Sequence, residues 1–468
     1  MKKYIYIISF LAFTISLKAQ EKTMELSLDD AVKYALENSY NTKAAKNDIL
    51  AAEKVKWETT TIGLPQVNAK IDYQNFLKQP VSLLPAAAFD NRTSVVQTVE
   101  DFFGLTRDSS PPSADGFIPV VFGTKQNVNA AITLTQLLFD GSYLVGLQSA
   151  KTYLQISEQA KEKTELKTRE AVINAYGNVL VAEKSIEILK RNKVVNDRIL
   201  KGARVGYENG LAELEDVEQF EIIEGNINNN IRSSERLKKI AYKLLNLSLG
   251  NDINTNLVLT DNLDSLVLAN TDLSLLSQQF NIDNHIDFKI AENDRESKRL
   301  LMKLEQSKAL PSLSAFLNYG AQANSDSFSF FSSNQQWFDS SLLGVSLNIP
   351  IFSSFKRSAR TAQAKIALET ADIRLVEAKQ RLNLAAENAK SDYQLSIDNY
   401  QTAQKNLSLA ERIEKKNQIK FNEGLATSFE LLQAQNQLYA QQTAFVQAMV
   451  SIIAKKATLE NALNIPIK

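Results

Sequence analysis

The sequence GLPQVNA at residues 63–69 returns 246 residues later as ALPSLSA at residues 309–315. Two more pairs of segments repeat in the same order, 213 and 214 residues apart: LTQLLF at 134–139 with LNIPIF at 347–352, and YENGLA at 207–212 with FNEGLA at 421–426. Three landmarks in one order indicate a structural unit copied within the chain. We therefore place the first copy at residues 20–260 and the second at residues 261–468. Each copy is expected to contain a helix, a strand, a loop, a strand, a very long helix, a turn and a helix.

Four strands are predicted beside these landmarks, because apolar and polar residues alternate there. The apolar positions are every second residue of Val67–Tyr73, Val128–Leu134, Leu313–Tyr319 and Leu343–Ile349. This period of two indicates strands with one apolar and one polar face. An apolar face could cover a soluble core or face lipid. In an exported chain whose helices already pair with one another, a lipid-facing barrel around a polar lumen fits better.

The number of strands has a consequence for assembly. Four strands cannot close a barrel, and open strand edges are not tolerated in lipid. Several chains must therefore each contribute four strands. Because both strand pairs lead directly into long helices, at residues 140–142 and 353–354, barrel and helices are expected to form one continuous tube.

Two very long helices are predicted, because helix breakers are almost absent from two stretches. Residues 354–423 contain no glycine or proline, and residues 147–201 contain only Gly177. At 1.5 Å per residue the first stretch would span about 100 Å as a helix. Its apolar residues recur every 3.5 positions on average, which predicts a coiled-coil seam: Leu382, Ala385, Ala389, Tyr393, Ile397, Tyr400, Ala403, Leu407 and Ala410. The helices alone would also fit an extended structural coiled coil.

The start of the chain predicts export. Lys2 and Lys3 precede an apolar run from Tyr4 to Leu17, and Ala19 offers a small-residue cleavage site, so residues 1–19 are interpreted as a signal peptide. The chain has no cysteine, so an exported form would be held by packing or oligomerisation rather than by disulfides. Its nearly balanced charge gives no reason to expect a nucleic-acid partner.

Between the paired strands lie two segments of very different length, residues 78–125 and residues 322–339. The first is rich in Pro, Ser, Asp and Phe. Both are predicted to be exposed loops at the outer rim. Phe102, Phe103 and Phe117 are expected to pack within the long loop rather than to bind a ligand.

Nothing in the sequence suggests catalysis. One histidine and no cysteine exclude the usual triads and zinc sites, so neither an enzyme nor a cofactor or metal is expected. The histidine, His285, falls in a helix predicted over Ser274–Leu310 and is interpreted as a surface or packing residue.

The doubled unit, its strand entries and its Gly-Leu-Ala turns resemble the TolC-like outer-membrane efflux proteins, the outer-membrane factors of tripartite efflux or type I secretion systems. The similarity covers nearly the whole mature chain, including an opening helix SLDDAVKYALENS at 27–39. The resemblance implies an α+β membrane protein that forms a homotrimer. Its twelve strands would form a barrel in the lipid of the outer membrane of a Gram-negative bacterium, and its helices a coiled-coil tunnel in the periplasm.

The function implied by this resemblance is a passive exit duct for small molecules or polypeptides. The duct would work with a periplasmic adaptor protein and an inner-membrane pump. The alternative is a structural or adhesive envelope protein, with a coiled-coil stalk and a barrel anchor. Strand alternation and duplicated turns favour the duct, because a stalk needs neither a polar lumen nor a second tip.

Two turns look like the family's tip motif, where adaptor hairpins dock: Asn209, Gly210 and Leu211 in the first copy, and Glu423, Gly424 and Leu425 in the second. A purely structural interpretation is also available, since glycine supplies the left-handed residue that ends a long helix. The two interpretations are compatible, because a tip must turn. The leucines would then form an apolar knob for a partner helix.

Beyond the second turn, Glu430 and Gln433 match positions that line the family's closed periplasmic constriction, and Asp216 and Gln219 are their counterparts in the first copy. Carboxylates from three chains around a narrow pore would attract cations. Some relatives carry a second acid where this chain has Gln433, so its gate would be less charged. Alternatively, Thr427 to Glu430 forms a capping box that starts the return helix. Both interpretations stay open from the sequence.

Overall fold

The computed structural model describes residues 24–89, 92–106 and 115–465, so the predicted signal peptide lies outside the described residues. Its helices and strands in chain order are β1 (Met24–Leu26), α1 (Leu28–Asn38), α2 (Tyr40–Thr61), β2 (Gln66–Asn75), β3 (Val81–Pro85), α3 (Arg92–Phe103), β4 (Phe117–Val121), β5 (Gln126–Asp140), α4 (Gly141–Glu208), α5 (Leu214–Leu249), β6 (Leu257–Leu259), α6 (Leu263–Asn270), α7 (Ser274–Ser277), α8 (Ile286–Ser307), β7 (Ser312–Ser325), β8 (Trp337–Asn348), α9 (Lys356–Asn422) and α10 (Ser428–Ala462).

These elements belong to two compact units. The sheet unit comprises residues 57–147 and 303–359, and the helical unit comprises the remaining described residues before, between and after those ranges. Both predicted very long helices are present, as α4 and α9.

The sheet unit contains the four predicted strands in one antiparallel sheet of order β2-β5-β7-β8. Its registers place the predicted apolar positions on a common face. One row across the sheet consists of Val67, Leu134, Leu317 and Leu343. On the opposite face the Asn318 Nδ2 donates to the Thr133 Oγ1 at 2.9 Å. The predicted strand boundaries were too short, because β7 and β8 both extend further into the segment between them.

The prediction of simple outer loops was wrong for the first copy. Within residues 78–125, β3 and β4 form an antiparallel pair, and α3 lies between them in the chain. Phe102 and Phe103 contact each other edge to face with ring centroids 4.9 Å apart, whereas Phe117 is exposed on β4. Proline and small polar residues mask the strand pattern there. Pro85 stands at the end of β3, whereas Pro119 is the middle residue of β4. The ladder tolerates both because each strand of a two-stranded sheet is an edge strand, where proline is allowed.

The second loop is shorter than predicted, residues 326–336, and its aromatic side chains fold onto the sheet. Tyr73 of β2 meets Phe328 and Phe330 edge to face, with ring centroids 5.8 and 6.0 Å apart. Ala323 is fully buried. This aromatic cluster covers one end of the apolar face.

The core of the helical unit lies along the middle of the long helices. Tyr176 of α4 and Tyr393 of α9 are fully buried there, with Ile452 of α10. The Tyr176 hydroxyl donates to the Leu26 carbonyl at 3.1 Å and lies 3.0 Å from the Asp261 Oδ2. It thereby ties the core to the parallel pair of β1 and β6, which the sequence did not predict.

The predicted seam of α9 is present with one correction. Ala389, Tyr393, Ile397, Ala403 and Ala410 are buried as expected. Ala385 is exposed, and Ala386 takes its place in the seam. Leu382 and Ala389 on either side keep their predicted places, so the seam steps by four and then three residues here instead of three and then four.

The helix predicted over Ser274–Leu310 is interrupted. Only α7 and α8 are α-helical, and the chain between them forms a short 3-10 turn over Ile282–Asn284. The Asn281 side chain accepts from the Asp283 backbone N–H at 3.1 Å, a local contact that competes with helix. His285 is buried against Phe280, and burial lowers the pKa of its imidazole. It is a packing residue.

No helix within the described ranges is both long and apolar enough to cross a membrane. Over the same ranges, no three His, Cys, Asp or Glu side chains are placed so that they could hold a metal ion together.

Candidate functional site

The two predicted tips share one geometry, which explains their common sequence. At the end of α4, the Leu211 N–H donates to the Gly206 carbonyl at 2.8 Å and the Gly210 N–H to the Tyr207 carbonyl at 2.9 Å. The same two bonds close the end of α9, from Leu425 and Gly424, at 2.7 and 3.0 Å. This pair of bonds is the Schellman motif, which satisfies the last carbonyls of a helix.

Glycine is required at the turn itself. Gly210 has a φ of +73° and Gly424 a φ of +69°, the left-handed region that costs other residues about 1–2 kcal/mol. Asn209 supports the first turn, because its Nδ2 donates to the Val205 carbonyl at 2.7 Å. Glu423 occupies the matching place in the second turn and bonds only through its backbone N–H among the contacts described.

The leucines that follow the glycines point into solvent. Leu211 is 86% exposed and Leu425 is 76% exposed. Phe429, one turn beyond Leu425, is also exposed. Exposed large apolar side chains at two equivalent turns mark a candidate surface for a protein partner.

A groove between the two tips adds to this surface, and sequence reasoning missed it. The groove has a volume of about 870 Å³. One wall is made of small residues of the first hairpin, Gly202, Gly206 and Ala212, and the other includes Phe421 and Phe429 of the second. Small residues permit close backbone approach, as at packed helix interfaces. The glycines at 202 and 206, one turn apart on α4, were the available sequence signal.

Of the four predicted constriction residues, Asp216 and Gln219 line this groove, whereas Glu430 and Gln433 are exposed outside it. Glu430 forms the capping box expected from the sequence. Its Oε2 accepts from the Thr427 N–H at 2.9 Å, and the Thr427 Oγ1 accepts from the Glu430 N–H at 3.2 Å. Asp216 plays the equivalent part in the first copy, since its Oδ2 accepts from the Glu213 N–H at 3.2 Å. Asp216 and Glu430 therefore cap the first turns of the return helices, α5 and α10.

A buried polar group near the second tip was not predicted. Glu414 of α9 and Gln435 of α10 are both buried. Neither amide atom of Gln435 has a hydrogen-bond partner among the described residues. Burial raises the pKa of the Glu414 carboxyl. Burial, together with the Glu414 charge, also raises the pKa of Tyr439 to about 12. In the first copy, Leu200 and Glu221 stand 214 residues before these two positions, so the copies differ here.

We expect Glu414→Leu to stabilise the protein in a pH-dependent way. A carboxyl whose folded pKa is raised above its unfolded value costs little at low pH, and the cost grows as the pH rises through the folded pKa. Relieving it should add about 1–3 kcal/mol at pH 8. The gain should shrink towards pH 4. Thermal unfolding in detergent, followed by circular dichroism at both pH values, measures this difference.

The exposed Glu411 on the same helix offers a matched control, because Glu411→Leu relieves no buried charge. A gain from Glu414→Leu that is equally large at pH 4 would mean that packing, and not ionisation, governs the site.

Comparison with known protein families shows which family the chain belongs to. The model of the outer membrane efflux protein family matches residues 104–250 and 279–464, well over half of the chain. The chain therefore belongs to the outer membrane efflux protein family. A comparison with curated protein sequences gives no significant match.

Several solved structures share the fold. The outer membrane protein VceC from Vibrio cholerae superposes with a TM-score of 0.67 at 15% identity, covering 94% of this chain and 97% of its own. The Campylobacter jejuni outer membrane channel CmeC gives 0.67 at 15% identity, with coverages of 93% and 85%. The Neisseria gonorrhoeae outer membrane channel MtrE gives 0.66 at 16% identity, with coverages of 93% and 88%.

Proposed function

We propose that this chain is a passive exit duct in the outer membrane of a Gram-negative bacterium, working as a homotrimer. Three chains supply twelve strands to one barrel, and their helices form a coiled-coil tunnel in the periplasm. Family membership supports the outer-membrane and efflux parts of this proposal. The observation that supports an assembly of several chains is the four-stranded sheet, whose two edge strands are unpaired and whose apolar face is exposed.

The four-stranded sheet is unfinished in two respects. Among the described residues, β2 and β8 stand at its edges without a partner strand on one side. The apolar side chains along both strands are exposed, including Ile71 and Leu343. A strand with unpaired backbone groups and an apolar face is unsuited to water and to lipid alike. Pairing edge to edge with further copies satisfies the backbone and leaves the apolar face for lipid.

The helical tips support docking of a periplasmic adaptor, through which an inner-membrane pump is reached. The groove between the tips accepts a partner helix against its small-residue wall, and Leu211, Leu425 and Phe429 offer apolar contacts. The groove also carries Glu213, Glu215 and Asp216 against a single basic residue, Arg198. A partner helix with basic side chains complements this charge.

The transported class is small molecules or polypeptides. The duct supplies a path and no chemistry, so selection of cargo falls to the pump.

Conductance of the purified protein tests the duct. In planar bilayers of defined lipid, without nucleotide or any other energy source, we expect discrete ionic steps. The adhesive-stalk alternative predicts no steps, together with loss of cell adhesion when the gene is deleted. Silent bilayers from folded, inserted protein would overturn the duct.

We further propose that Glu430 lines the periplasmic constriction as well as capping α10. Glu430→Gln keeps the size and the capping acceptor, because glutamine also serves in a capping box. We expect the variant to lose cation selectivity in bilayers with little change in thermal stability, since a ring of carboxylates favours cations.

Asp216→Asn is the matched change in the first copy, because Asp216 makes the equivalent capping contact. Reduced stability of Glu430→Gln with unchanged selectivity would leave Glu430 only its capping role.

A further inference from the structure

The segment between β2 and β5, residues 76–125, is an insert far longer than the corresponding loop of the second copy. It contains a two-stranded ribbon, made of β3 and β4, and the helix α3. The Phe76 N–H donates to the Lys125 carbonyl at 2.8 Å, so the insert continues directly from the hairpin of β2 and β5. The Lys125 N–H donates to the Asp326 Oδ1 at 3.0 Å. The base of the insert is therefore held by the sheet and by the second loop.

One face of the ribbon is apolar throughout and exposed. Three cross-strand pairs share this face, because they lie two residues apart along each strand: Val81 with Val121, Leu83 with Pro119, and Pro85 with Phe117. All six residues are exposed, Leu83 to 63% and Phe117 to 68%. A two-stranded ribbon alone is marginally stable in water and needs a further strand or a helix against its apolar face. The ribbon therefore lacks a cover in the single chain.

The helix of the same insert carries an apolar stripe. Val95, Val99 and Phe102 are spaced by four and three residues, which places them on one side of α3. All three are exposed, Phe102 to 81%. Among the described side chains of α3, only Val96 and Glu100 are half-buried. A helix of 12 residues is marginal in water without tertiary packing, so the stripe marks the side on which α3 lacks a neighbour.

Lipid does not fit as the cover of these two faces. A strand crosses the hydrocarbon of a membrane with about 9–11 residues, and β2 already has 10. Because β3 begins at Val81 and β2 ends at Asn75, the ribbon lies outside a membrane that β2 spans. A helix that lies on a membrane surface is rich in lysine and arginine on its polar face. The helix α3 has only Arg92 against Glu100 and Asp101.

We propose that the inserts of neighbouring copies pack on one another, with the α3 stripe of one copy covering the apolar ribbon face of the next. The stripe and the ribbon face supply what the other lacks, and both are exposed within the single chain. The occupant is a second copy of this chain, because the insert follows β2, an edge strand of the sheet. Copies assembled at that edge bring their inserts to one rim, where they form a collar around the exit. The proposal rests on the proposed homotrimeric duct and adds this interaction surface.

Crosslinking between two differently tagged chains tests the collar, and the cysteine-free sequence makes the reaction specific. One chain carries Phe102→Cys, and a co-expressed chain with another tag carries Leu83→Cys. The purified assembly is treated with a short bismaleimide. We expect a covalent product that carries both tags, because the stripe of one copy meets the ribbon of the next. Each chain holds a single cysteine, so a link within one chain cannot give this product.

Matched controls use the opposite sides of the same two elements. Gln97→Cys takes the place of Phe102→Cys, because Gln97 is exposed on the polar side of α3. Ser82→Cys takes the place of Leu83→Cys, because Ser82 is exposed and alternates to the other face of the ribbon. Both exchanges should nearly abolish the product with two tags. Equal product from the control cysteines would mean unspecific contact and would overturn the collar.

Heat dissociation of the assembled protein gives a second measurement. Leu83→Asp with Phe102→Asp should lower the temperature at which the oligomer separates on gels, whereas Ser82→Asp with Gln97→Asp should leave it unchanged. A trimer that gives no product with two tags would overturn the collar and leave the duct intact. Linking confined to single chains that carry both Phe102→Cys and Leu83→Cys would also overturn it, because the insert would then cover itself. Monomeric protein in detergent would overturn collar and duct together.

Discussion

Replacing Leu211 and Leu425 together by aspartate is expected to abolish export while leaving the folded, membrane-inserted assembly intact. Both side chains are exposed in the chain, so their loss costs the fold little. Burying a leucine against a partner contributes about 1.5–3 kcal/mol, and an unpaired carboxylate in its place opposes docking. The proposed trimer presents six such positions, so we expect the loss of adaptor binding to be essentially complete. Export from cells and capture of the adaptor by the purified protein both measure it.

The matched control is Leu211→Met with Leu425→Met, which keeps apolar side chains of similar size. Neither pair of changes touches Gly210 or Gly424, so the turns retain their left-handed residues. Export should persist in the methionine variant. Normal export by the aspartate variant would leave the tips as turns with no docking role.

The second large effect is expected from charge on the apolar face of the sheet. Leu317 lies on the inner strand β7 in a row of four apolar residues, so Leu317→Arg places a cation where the proposal puts lipid. Such a change costs about 2–4 kcal/mol per chain near the middle of a bilayer. Because every chain of the proposed trimer carries the change, we expect little assembled protein in the outer membrane. Heat-resistant oligomer in membrane fractions is the quantity to measure.

Asn318→Arg provides the matched control, one residue along the same strand. Asn318 faces the other side, where its amide contacts Thr133. This variant should assemble and instead change the ion selectivity of the pore. Equal tolerance of arginine at both positions would contradict a lipid-facing side of the sheet.

The elements that could be predicted from sequence are those whose pattern is long or duplicated. The strand that contains Ile71 alternates over ten residues, and its register in the hairpin is repeated in the second copy. The long helices follow from the absence of glycine and proline, and the capping box at Thr427 from four residues alone. Each of these depends on local chemistry that no tertiary contact overrides.

What escaped prediction depends on contacts between distant segments. The pair of β1 and β6 involves three residues each, too few to carry a period, and it is joined to the helical core by the hydrogen bond from the Tyr176 hydroxyl to the Leu26 carbonyl. The groove between the tips forms only because two helical hairpins lie side by side. Neither Gly206 nor Phe421 by itself therefore predicts the groove from the sequence. From the sequence, Glu414 would be predicted to lie on the surface, because its helix is rich in charged residues. It is buried only because α9 packs against other helices of the fold.

The most direct test of the account is the mass of the folded protein purified from outer membranes in detergent, measured by native mass spectrometry. If three chains each contribute four strands to one twelve-stranded barrel, the particle should have the mass of three mature chains. The same preparation should conduct ions in planar bilayers. A stable single chain that still conducts would contradict the claim that three copies complete one barrel.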